Sequence, residues 1–403
     1  MPLRPSLTTF LAKAREVLAS PAAQRPSPLT LVVGNESADL DSLCSPIVYA
    51  YLRSTTSPNP TLHIPLSNLP RADLALRPEL TTALAHARLR PSDLLTLDNL
   101  PPALDPRATR WLLVDHNALT GPLAARGFSD HVVGCVDHHA DEGRVPSTDG
   151  TGEPRIIEKC GSCASLIASF CRPAWEEALR SSGSRGEESD AHLARLALAP
   201  ILVDTAGLKA EDRTTDTDVR AVEFLEGLLR DDASYAREAY LEELTRAKED
   251  LSALGVRDIF RKDYKQWDEG GMALGMSSVV QGFDYLLGEK AGGGGPEVVL
   301  GTFRAWAEER KLDVGVIMTT AHPGGEFRRE LLVWAFNEAA VAVAEDFVKT
   351  CGEELGLETW GDGRLDLVEE GMWRRVWLQR NVAYSRKKVG PMLREAMNGS
   401  SRL

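Results

Sequence analysis

The stretch Val132–Glu142, VVGCVDHHADE, indicates both the fold class and the place of a site. It starts as a short apolar run, as in a buried strand, and then continues with Asp137, His138 and His139. Polar residues directly after an apolar run are typical of the carboxyl end of a strand in a parallel sheet, where ligands bind. The stretch therefore predicts an α/β fold with a site at this strand end.

Three other apolar runs end in the same way. They are TLVVG (Thr30–Gly34), followed by Asn35, Asp39 and Asp41; WLLV (Trp111–Val114), followed by Asp115 and His116; and ILV (Ile201–Val203), followed by Asp204. Carboxylates that converge from several strand ends repel one another at pH 7 unless cations offset their charge. The pattern predicts a metal site, with two ions sharing a carboxylate. Helix capping is the alternative, because Asp, Asn and Ser are common at strand-to-helix turns.

Helical patterns lie between the apolar runs, at 40–53, 73–87, 162–170 and 191–198, and a further strand is predicted at 62–65. This alternation predicts a parallel sheet in a first domain, 1–230. The remaining 231–403 are predicted to form a smaller α/β domain of mixed sheet. Its strands are expected at 272–280, 298–302, 314–320 and 330–335, before a helix at 338–351.

The composition is that of a soluble globular protein, since 43% of the 403 residues are hydrophobic and 26% are charged, which excludes a disordered chain. A net charge of −13 argues at first against a polyanionic partner. The charges are unevenly placed, however. Gly371–Leu403 holds eight basic residues and one acid, a local charge of +7. An anionic ligand is therefore compatible with this chain.

A cytoplasmic protein is expected, because six cysteines without a secretory signal pattern suggest a reducing compartment. The final Ser401-Arg402-Leu403 resembles the Ser-Lys-Leu peroxisomal address, which makes the peroxisome an alternative. We expect a monomer with no nucleic-acid partner. No membrane partner is expected either, since no apolar run approaches the 18 or so residues of a membrane span.

Cys160-Gly161-Ser162-Cys163 has a spacing that is associated elsewhere with redox chemistry. The neighbouring motifs point to a different chemistry, and the role of the two cysteines stays open. The small residues of Gly161–Ser165 open a predicted helix. Their amides suit packing against the histidine turn or an anion at the helix N-terminus.

The four polar segments resemble, in order and spacing, the signature segments of the DHH phosphoesterase superfamily. They are GNESADLDS (34–42), LLVDHN (112–117), CVDHHADE (135–142) and PILVDTAGLK (200–209). Tyr384–Lys388 (YSRKK) and Asp263–Lys265 (DYK) resemble elements of the DHHA2 domain. The resemblance implies an N-terminal parallel-sheet DHH domain, a smaller α/β DHHA2 domain and an active site in the interdomain cleft.

The resemblance also implies roles for individual residues. Asn35, Asp39 and Asp115 would hold or approach one metal, and Asp41, Asp115, His138 and Asp204 the other. His139 would face the substrate, Asp137 would orient an imidazole, and His116 would lie near the reaction centre in a role that is not fixed. Lys265, Arg386 and Lys387 would join His139 in binding phosphate. A water activated by the metals would be the nucleophile.

Asn35 distinguishes the members of this branch, which holds family II inorganic pyrophosphatases, fungal-type exopolyphosphatases and prune proteins. The pyrophosphatases have a histidine ligand at this position, whereas asparagine is similar to the exopolyphosphatases. An amide oxygen favours Mg²⁺ over Mn²⁺ or Co²⁺. The resemblance thus implies an exopolyphosphatase with two Mg²⁺ ions, acting on linear inorganic polyphosphate. The alternatives are a pyrophosphatase or prune-like phosphohydrolase of short polyphosphates or nucleotides, and a non-catalytic interaction protein.

Overall fold

The computed structural model describes residues 4–56, 60–147, 152–182 and 187–400. The chain divides into two compact units, Met1–Lys248 and Glu249–Leu403. The peroxisome-like Ser401-Arg402-Leu403 lies outside the described residues. Among the helices that are described, none combines the length and the apolar character needed to cross a membrane.

The first unit is built on a parallel sheet, as the strand-end pattern predicts. Its strands are β1 (Leu29–Val33), β2 (His63–Leu66), β3 (Thr109–Val114), β4 (Val132–Asp137) and β5 (Arg155–Ile157), in the order β2-β1-β3-β4-β5. Each pair of neighbours is parallel. Its helices are α1 (Leu7–Ala19), α2 (Leu40–Thr55), α3 (Pro78–His86), α4 (Gly121–Ala125), α5 (Cys163–Ser182), α6 (Glu187–Asp204), α7 (Asp216–Gly227) and α8 (Arg237–Glu249).

The sheet order places a crevice at the carboxyl ends of β1 and β3. The chain runs from β1 to β2 on one side of β1, and then returns to form β3 on its other side. Such a reversal of strand order is where open α/β sheets bind ligands. The fold therefore brings the segments after β1, β3 and β4 to one edge.

The end of β1 packs tightly on the first turn of α2. Asp39 caps this helix by accepting a hydrogen bond from the Ser42 amide at 3.0 Å. A Cβ at Gly34 would lie 2.1 Å from the Ser42 carbonyl oxygen, so only glycine fits there. Pro46, four residues after Ser42 in the helix, has no N–H to donate to this carbonyl. This close packing fixes where the polar loop after β1 leaves the sheet.

One predicted strand of the first unit is a helix. Ile201–Val203 lies in the last turn of α6, which ends at Asp204. The helix is buried all round from Leu196 to Leu202. A short apolar run without polar alternation does not distinguish a buried strand from a buried helix, which explains the error.

The second unit has the predicted mixed sheet. Its strands are β6 (Tyr264–Glu269), β7 (Met272–Val279), β8 (Val314–Thr319), β9 (Arg329–Ala335), β10 (Leu357–Thr359), β11 (Leu367–Glu369) and β12 (Met372–Gln379). The order is β10-β12-β9-β8-β7-β6, with β11 on β12; β7 and β8 are parallel, and the other pairs are antiparallel. Its helices are α9 (Val256–Lys262), α10 (Phe283–Tyr285), α11 (Gly295–Glu309), α12 (Glu338–Leu355) and α13 (Arg386–Ser400).

The strand predicted at 298–302 is part of α11. Val299, Leu300, Phe303, Trp306 and Ala307 are the buried residues of this helix, a spacing of one helical face. The β-branched residues Val298 and Val299 favour a strand locally. The helical spacing becomes visible only over the longer stretch to Ala307. The first compact unit extends to Lys248, and Tyr240 and Leu244 of α8 are buried in its core.

A buried polar network stabilises the first unit around Glu153. Its carboxylate accepts hydrogen bonds from Tyr49 Oη at 2.6 Å and Arg53 Nη2 at 3.4 Å, and lies 2.9 Å from His63 Nε2. Burial alone would raise the pKa of Glu153, but the contacts with His63 and Tyr49 and the charges of His63 and Arg53 lower it to about 2. A lowered pKa means that ionised Glu153 stabilises the folded state.

Glu153→Gln is expected to lower the free energy of unfolding at pH 7 by about 3 kcal/mol. The wild-type contribution is present above the ordinary pKa near 4.5 and is lost as the pH falls toward about 2. Denaturant unfolding at pH 7 and pH 3 measures both effects. Glu158→Gln, at an exposed position nearby, is the control. Equal stability of the two variants at pH 7 would contradict the prediction.

Candidate metal centre

Asp115 is the central carboxylate of the candidate site. It directly follows β3, is 2% exposed and has a φ of 61°. Its Oδ2 accepts hydrogen bonds from Ser42 Oγ at 2.5 Å and Asn35 Nδ2 at 2.9 Å. Its Oδ1 lies 3.1 Å from His138 Nε2. One carboxylate therefore joins the ends of β1, β3 and β4.

Strained backbone is found in three of the four predicted loops. Ala38 (φ 48°), Asp115 (φ 61°), Ala206 (φ 49°) and Leu208 (φ 71°) all lie in the left-handed region that disfavours residues with a Cβ. Such strain costs about 1–3 kcal/mol per residue and is concentrated at functional sites. Its distribution supports a functional role for this edge of the sheet.

His138 is held with one ring nitrogen toward Asp115. Its Nδ1 lies 2.9 Å from the Cys160 carbonyl oxygen, to which only a protonated Nδ1 can donate. In the neutral ring this leaves the Nε2 lone pair on the side of Asp115. Metal-binding histidines are oriented in the same way, by a hydrogen bond from the other ring nitrogen.

His139 has a different environment, although it is the next residue. Its side chain is 47% exposed, and its Nδ1 lies 2.9 Å from Asp137 Oδ1 and 3.8 Å from Asp115 Oδ1. Asp137 is fully buried and accepts hydrogen bonds from the backbone amides of His138 and His139 and from Asn117 Nδ2. Burial would raise the pKa of Asp137, but the hydrogen bonds from His139 and Asn117 lower it. Ionised Asp137 thus orients the His139 ring.

Asp39 and Asp41 cap helices, as the capping alternative proposes. Exposed Asp39 caps α2. Buried Asp41 accepts four hydrogen bonds, from Ser45 Oγ (2.7 Å), Ser162 Oγ (2.9 Å), the Cys163 amide (2.6 Å) and the Ala164 amide (3.0 Å). The α5 amides are therefore occupied by a side chain of the same unit.

Asn35 contacts Asp115 as a hydrogen-bond donor. Its Oδ1 accepts from the amides of Ser37 (2.9 Å) and Ala38 (3.3 Å), while its Nδ2 points to Asp115. Exchanging the two amide atoms would place N–H groups against N–H groups, so the network supports this orientation. A preference for Mg²⁺ at this position would require the Asn35 amide oxygen to face the metal. In this structure it is the amide nitrogen of Asn35 that faces Asp115.

The electrostatics of the site favour added positive charge. Burial and the nearby charge of Asp39 raise the pKa of Asp41, Asp115 and Asp204, in Asp115 to about 7. Burial opposes the charged form of His138, but its hydrogen bond to Asp115 and the charges of Asp41 and Asp115 raise its pKa to about 10. A field that attracts protons to several groups also attracts a divalent cation.

Three of the predicted site residues lie close enough together to contact one metal ion. Ligand atoms of Asp115, His138 and His139 all lie within 4.8 Å of one another. A carboxylate with two imidazoles is a donor set that suits Mn²⁺, Zn²⁺ or another divalent transition metal. The residues present therefore fit a divalent metal ion.

His116 has one satisfied and one unsatisfied ring nitrogen. Its Nδ1 lies 2.9 Å from the Val114 carbonyl, and its buried Nε2 has no hydrogen-bond partner among the described residues. Burial lowers the pKa of His116, which keeps the ring neutral.

The two cysteines of the C-x-x-C spacing, Cys160 and Cys163, are free thiols. Burial raises the pKa of Cys160 to about 12, and Cys163 donates to the Val136 carbonyl, so neither is poised as a thiolate.

The basic residues of the second unit are largely paired within that unit. The ion pairs are Arg375–Asp366, Arg380–Glu358, Arg386–Asp263 and Arg394–Glu269. The local charge of +7 is therefore mostly offset by nearby acids. Lys265 and Lys387 are exposed. Arg386 donates to both the carboxylate and the carbonyl of Asp263, which fixes the start of α13 beside the start of β6.

The sequence prediction missed three residues that orient the site. Ser42 donates to Asp115, Ser162 donates to Asp41, and Asn117 donates to Asp137. Ser42 and Asn117 lie in predicted segments and close to Asp41 and Asp115 in the sequence, whereas Ser162 has no carboxylate next to it. A serine or asparagine near an acid is too common to identify such a contact without the fold.

Known proteins support the assignment of the fold and its family. The N-terminal domain model of the DHH family matches residues 30–201, and the DHHA2 domain model matches residues 242–396. A solved structure from Methanococcus jannaschii, described as a "putative family II inorganic pyrophosphatase", covers 91% of this chain and 99% of its own, with a TM-score of 0.55 and 22% identity. That likeness confirms the predicted fold class.

Three curated relatives extend over most of the chain. A Schizosaccharomyces pombe protein named "Putative exopolyphosphatase" is 34% identical over 402 residues, which is 97% of this chain and 98% of the relative. "Exopolyphosphatase PRUNE1" of Bos taurus is 27% identical, over 94% of this chain and 77% of the relative. A "Manganese-dependent inorganic pyrophosphatase" of Methanothrix thermoacetophila is 26% identical, over 72% and 80%. The chain therefore belongs to the DHH family, in the branch that carries a DHHA2 domain.

Proposed function

We propose that this protein is a metal-dependent exopolyphosphatase, which releases terminal orthophosphate from linear inorganic polyphosphate. The observation that carries the proposal is the grouping of buried Asp115 with His138 and His139 in a field that favours cations. The relative from S. pombe, similar over almost the whole chain, supports this choice of substrate.

The proposal includes two divalent ions, held as the family resemblance implies. The metal ligands would be Asn35, Asp39, Asp41, Asp115, His138 and Asp204, with Asp115 shared. A relative named as manganese-dependent supports a divalent metal. We keep Mg²⁺ as the proposed ion and Mn²⁺ or Co²⁺ as alternatives, although the donor role of Asn35 weakens the case for Mg²⁺. Such ions offset phosphate charge and lower the pKa of a bound water toward neutrality.

The side chains of the site divide the remaining work. Asp137 orients the exposed His139 ring, whose Nε2 side is then available to donate to a phosphate oxygen. Lys265, Arg386 and Lys387 are proposed to bind further phosphate groups, because guanidinium and ammonium groups pair well with phosphate oxygens. Asp115 and His116 complete the proposed catalytic set with His139.

Pyrophosphate hydrolysis is the second candidate. It is favoured by the pyrophosphatase relative, and the same side chains would serve it. Short polyphosphates or nucleotides, as proposed for prune-like enzymes, require no different residues. A non-catalytic interaction protein is the alternative from another class, and the clustered Asp115, His138 and His139 argue against it.

Phosphate release should be fastest from long polyphosphate when pyrophosphate, tripolyphosphate and long polyphosphate are compared side by side. The assay is run on metal-free protein supplied with Mg²⁺ or Mn²⁺, and without metal as the control. A preference for pyrophosphate would replace the exopolyphosphatase proposal with its second candidate. No release from any of the three would favour the interaction protein.

A further inference from the structure

Asp218 is a fully buried carboxylate in the first turn of α7 that accepts an unusual number of hydrogen bonds. Its donors are the amides of Gly161 (2.9 Å), Ser162 (3.3 Å) and Thr215 (2.8 Å), and the side chains of Cys160 (3.1 Å), Ser165 (2.7 Å) and Thr215 (2.8 Å). Burial would raise the pKa of Asp218, but the bonds from Ser165 and Cys160 lower it. An ionised carboxylate accepts at both oxygens, as this arrangement requires.

The amides at the start of α5 are divided between two aspartates. Gly161 and Ser162 donate to Asp218, whereas Cys163 and Ala164 donate to Asp41. Backbone N–H groups at a helix N-terminus have no partners within the helix, and they favour negative charge. The turn at 160–164 is therefore clamped between a carboxylate of the candidate centre and Asp218.

This turn also orients two of the proposed metal ligands. The Cys160 carbonyl accepts from His138 Nδ1 at 2.9 Å, which turns Nε2 toward Asp115. Ser162 Oγ donates to Asp41 at 2.9 Å. A Cβ at Gly161 would lie 2.6 Å from Thr205 Cγ2 and 2.9 Å from Asp218 Oδ2, so the turn has little room to move.

We propose that Asp218 is a positioning residue, which sets the orientation of His138 and Asp41 through the turn 160–164 and thereby raises the affinity of the centre for a divalent metal. The inference rests on the proposed metal centre, since it concerns the geometry of its ligands. Residues that orient metal ligands through hydrogen bonds commonly change metal affinity by about 10–100-fold when they are replaced.

Asp218→Asn tests this role, because the amide keeps the shape of the side chain but presents N–H groups to some of the donors. Metal-free protein is titrated with Mn²⁺ by calorimetry. Asp218→Asn should bind Mn²⁺ at least about tenfold more weakly than the wild type. Asp216→Asn, at an exposed position in the same helical turn, should leave the affinity unchanged.

A second measurement separates positioning from general damage to the fold. Phosphate release is followed at increasing Mn²⁺, and Asp218→Asn should need at least about tenfold more metal to reach a kcat within about threefold of the wild type. If Asp218→Asn does not fold, Ser165→Ala removes one bond to Asp218, and a weaker shift of about threefold in the same direction is expected.

Wild-type affinity in Asp218→Asn, or in Ser165→Ala where only that variant folds, would overturn the role of Asp218. A kcat that is reduced at every Mn²⁺ concentration, with unchanged affinity, would do the same. Failure of the wild type to bind Mn²⁺ would instead overturn the metal centre on which the inference rests.

Discussion

Asp115→Asn is expected to lower kcat for phosphate release by at least about 10³-fold, with the fold intact. Asp115 is the carboxylate on which the ends of β1, β3 and β4 converge, through Ser42, Asn35 and His138. Removing its charge takes away the proposed shared ligand and is expected to cost about 4 kcal/mol of transition-state stabilisation, at roughly 1.4 kcal/mol for each tenfold in rate.

The same substitution should raise the stability of the metal-free protein at pH 7. The pKa of Asp115 is raised to about 7, mainly by burial and then by the charges of Asp39 and Asp41. A raised pKa means that ionised Asp115 destabilises the folded state, and that this penalty grows as the pH rises from about 4 to about 7. The stability gain of Asp115→Asn should therefore shrink toward zero near pH 3.

Steady-state phosphate release and thermal unfolding of metal-free protein measure the two effects. Asp130→Asn, at an exposed position in the same unit, is the control and should change neither. Near-normal kcat in Asp115→Asn at full metal occupancy would exclude Asp115 as a metal ligand. Loss of stability at pH 7 would show that its contacts with Ser42 and Asn35 outweigh the charge penalty.

The backbone positions of the site could be predicted from the sequence because strand ends are local features. An apolar run followed by Asp115, or by Asp137 and His138, specifies both the strand and the edge at which the polar residues lie. The prediction failed where burial removed the periodic signal. Ile201 and Leu202 are fully buried and lie in a helix, yet Asp204 at the end of that helix still lies close enough to Asp41 and Asp39 that, after burial, their charges raise its pKa.

The orientations of the side chains could not be predicted in the same way. Asn35 turns its amide nitrogen to Asp115 because the amides of Ser37 and Ala38 occupy its oxygen. The start of α13 carries a basic cluster in the sequence, but Arg386 is paired with Asp263, far away in the chain. Such partners are set by tertiary packing, so composition alone overstates the free positive charge.

The tandem histidines should separate metal binding from substrate binding. His138→Gln is expected to weaken Mn²⁺ binding by at least about 100-fold and to lower phosphate release by a similar factor at limiting metal. The reason is that His138 is fixed by the Cys160 carbonyl with Nε2 facing Asp115. Glutamine has similar length, but it presents a flexible amide in place of a rigid imidazole nitrogen.

His139→Gln is the matched substitution, because it makes the same chemical change one residue along the chain. Asp137 holds His139 in an exposed orientation, so its loss should lower kcat/KM by about 10²–10³-fold while Mn²⁺ affinity stays within about threefold of the wild type. Calorimetric titration with Mn²⁺ and steady-state kinetics at saturating metal separate the two outcomes. Equal losses of Mn²⁺ affinity in both variants would make His139 a metal ligand too, and its proposed role in substrate binding would then be wrong. The distance of 3.8 Å between His139 Nδ1 and Asp115 Oδ1 is compatible with that outcome.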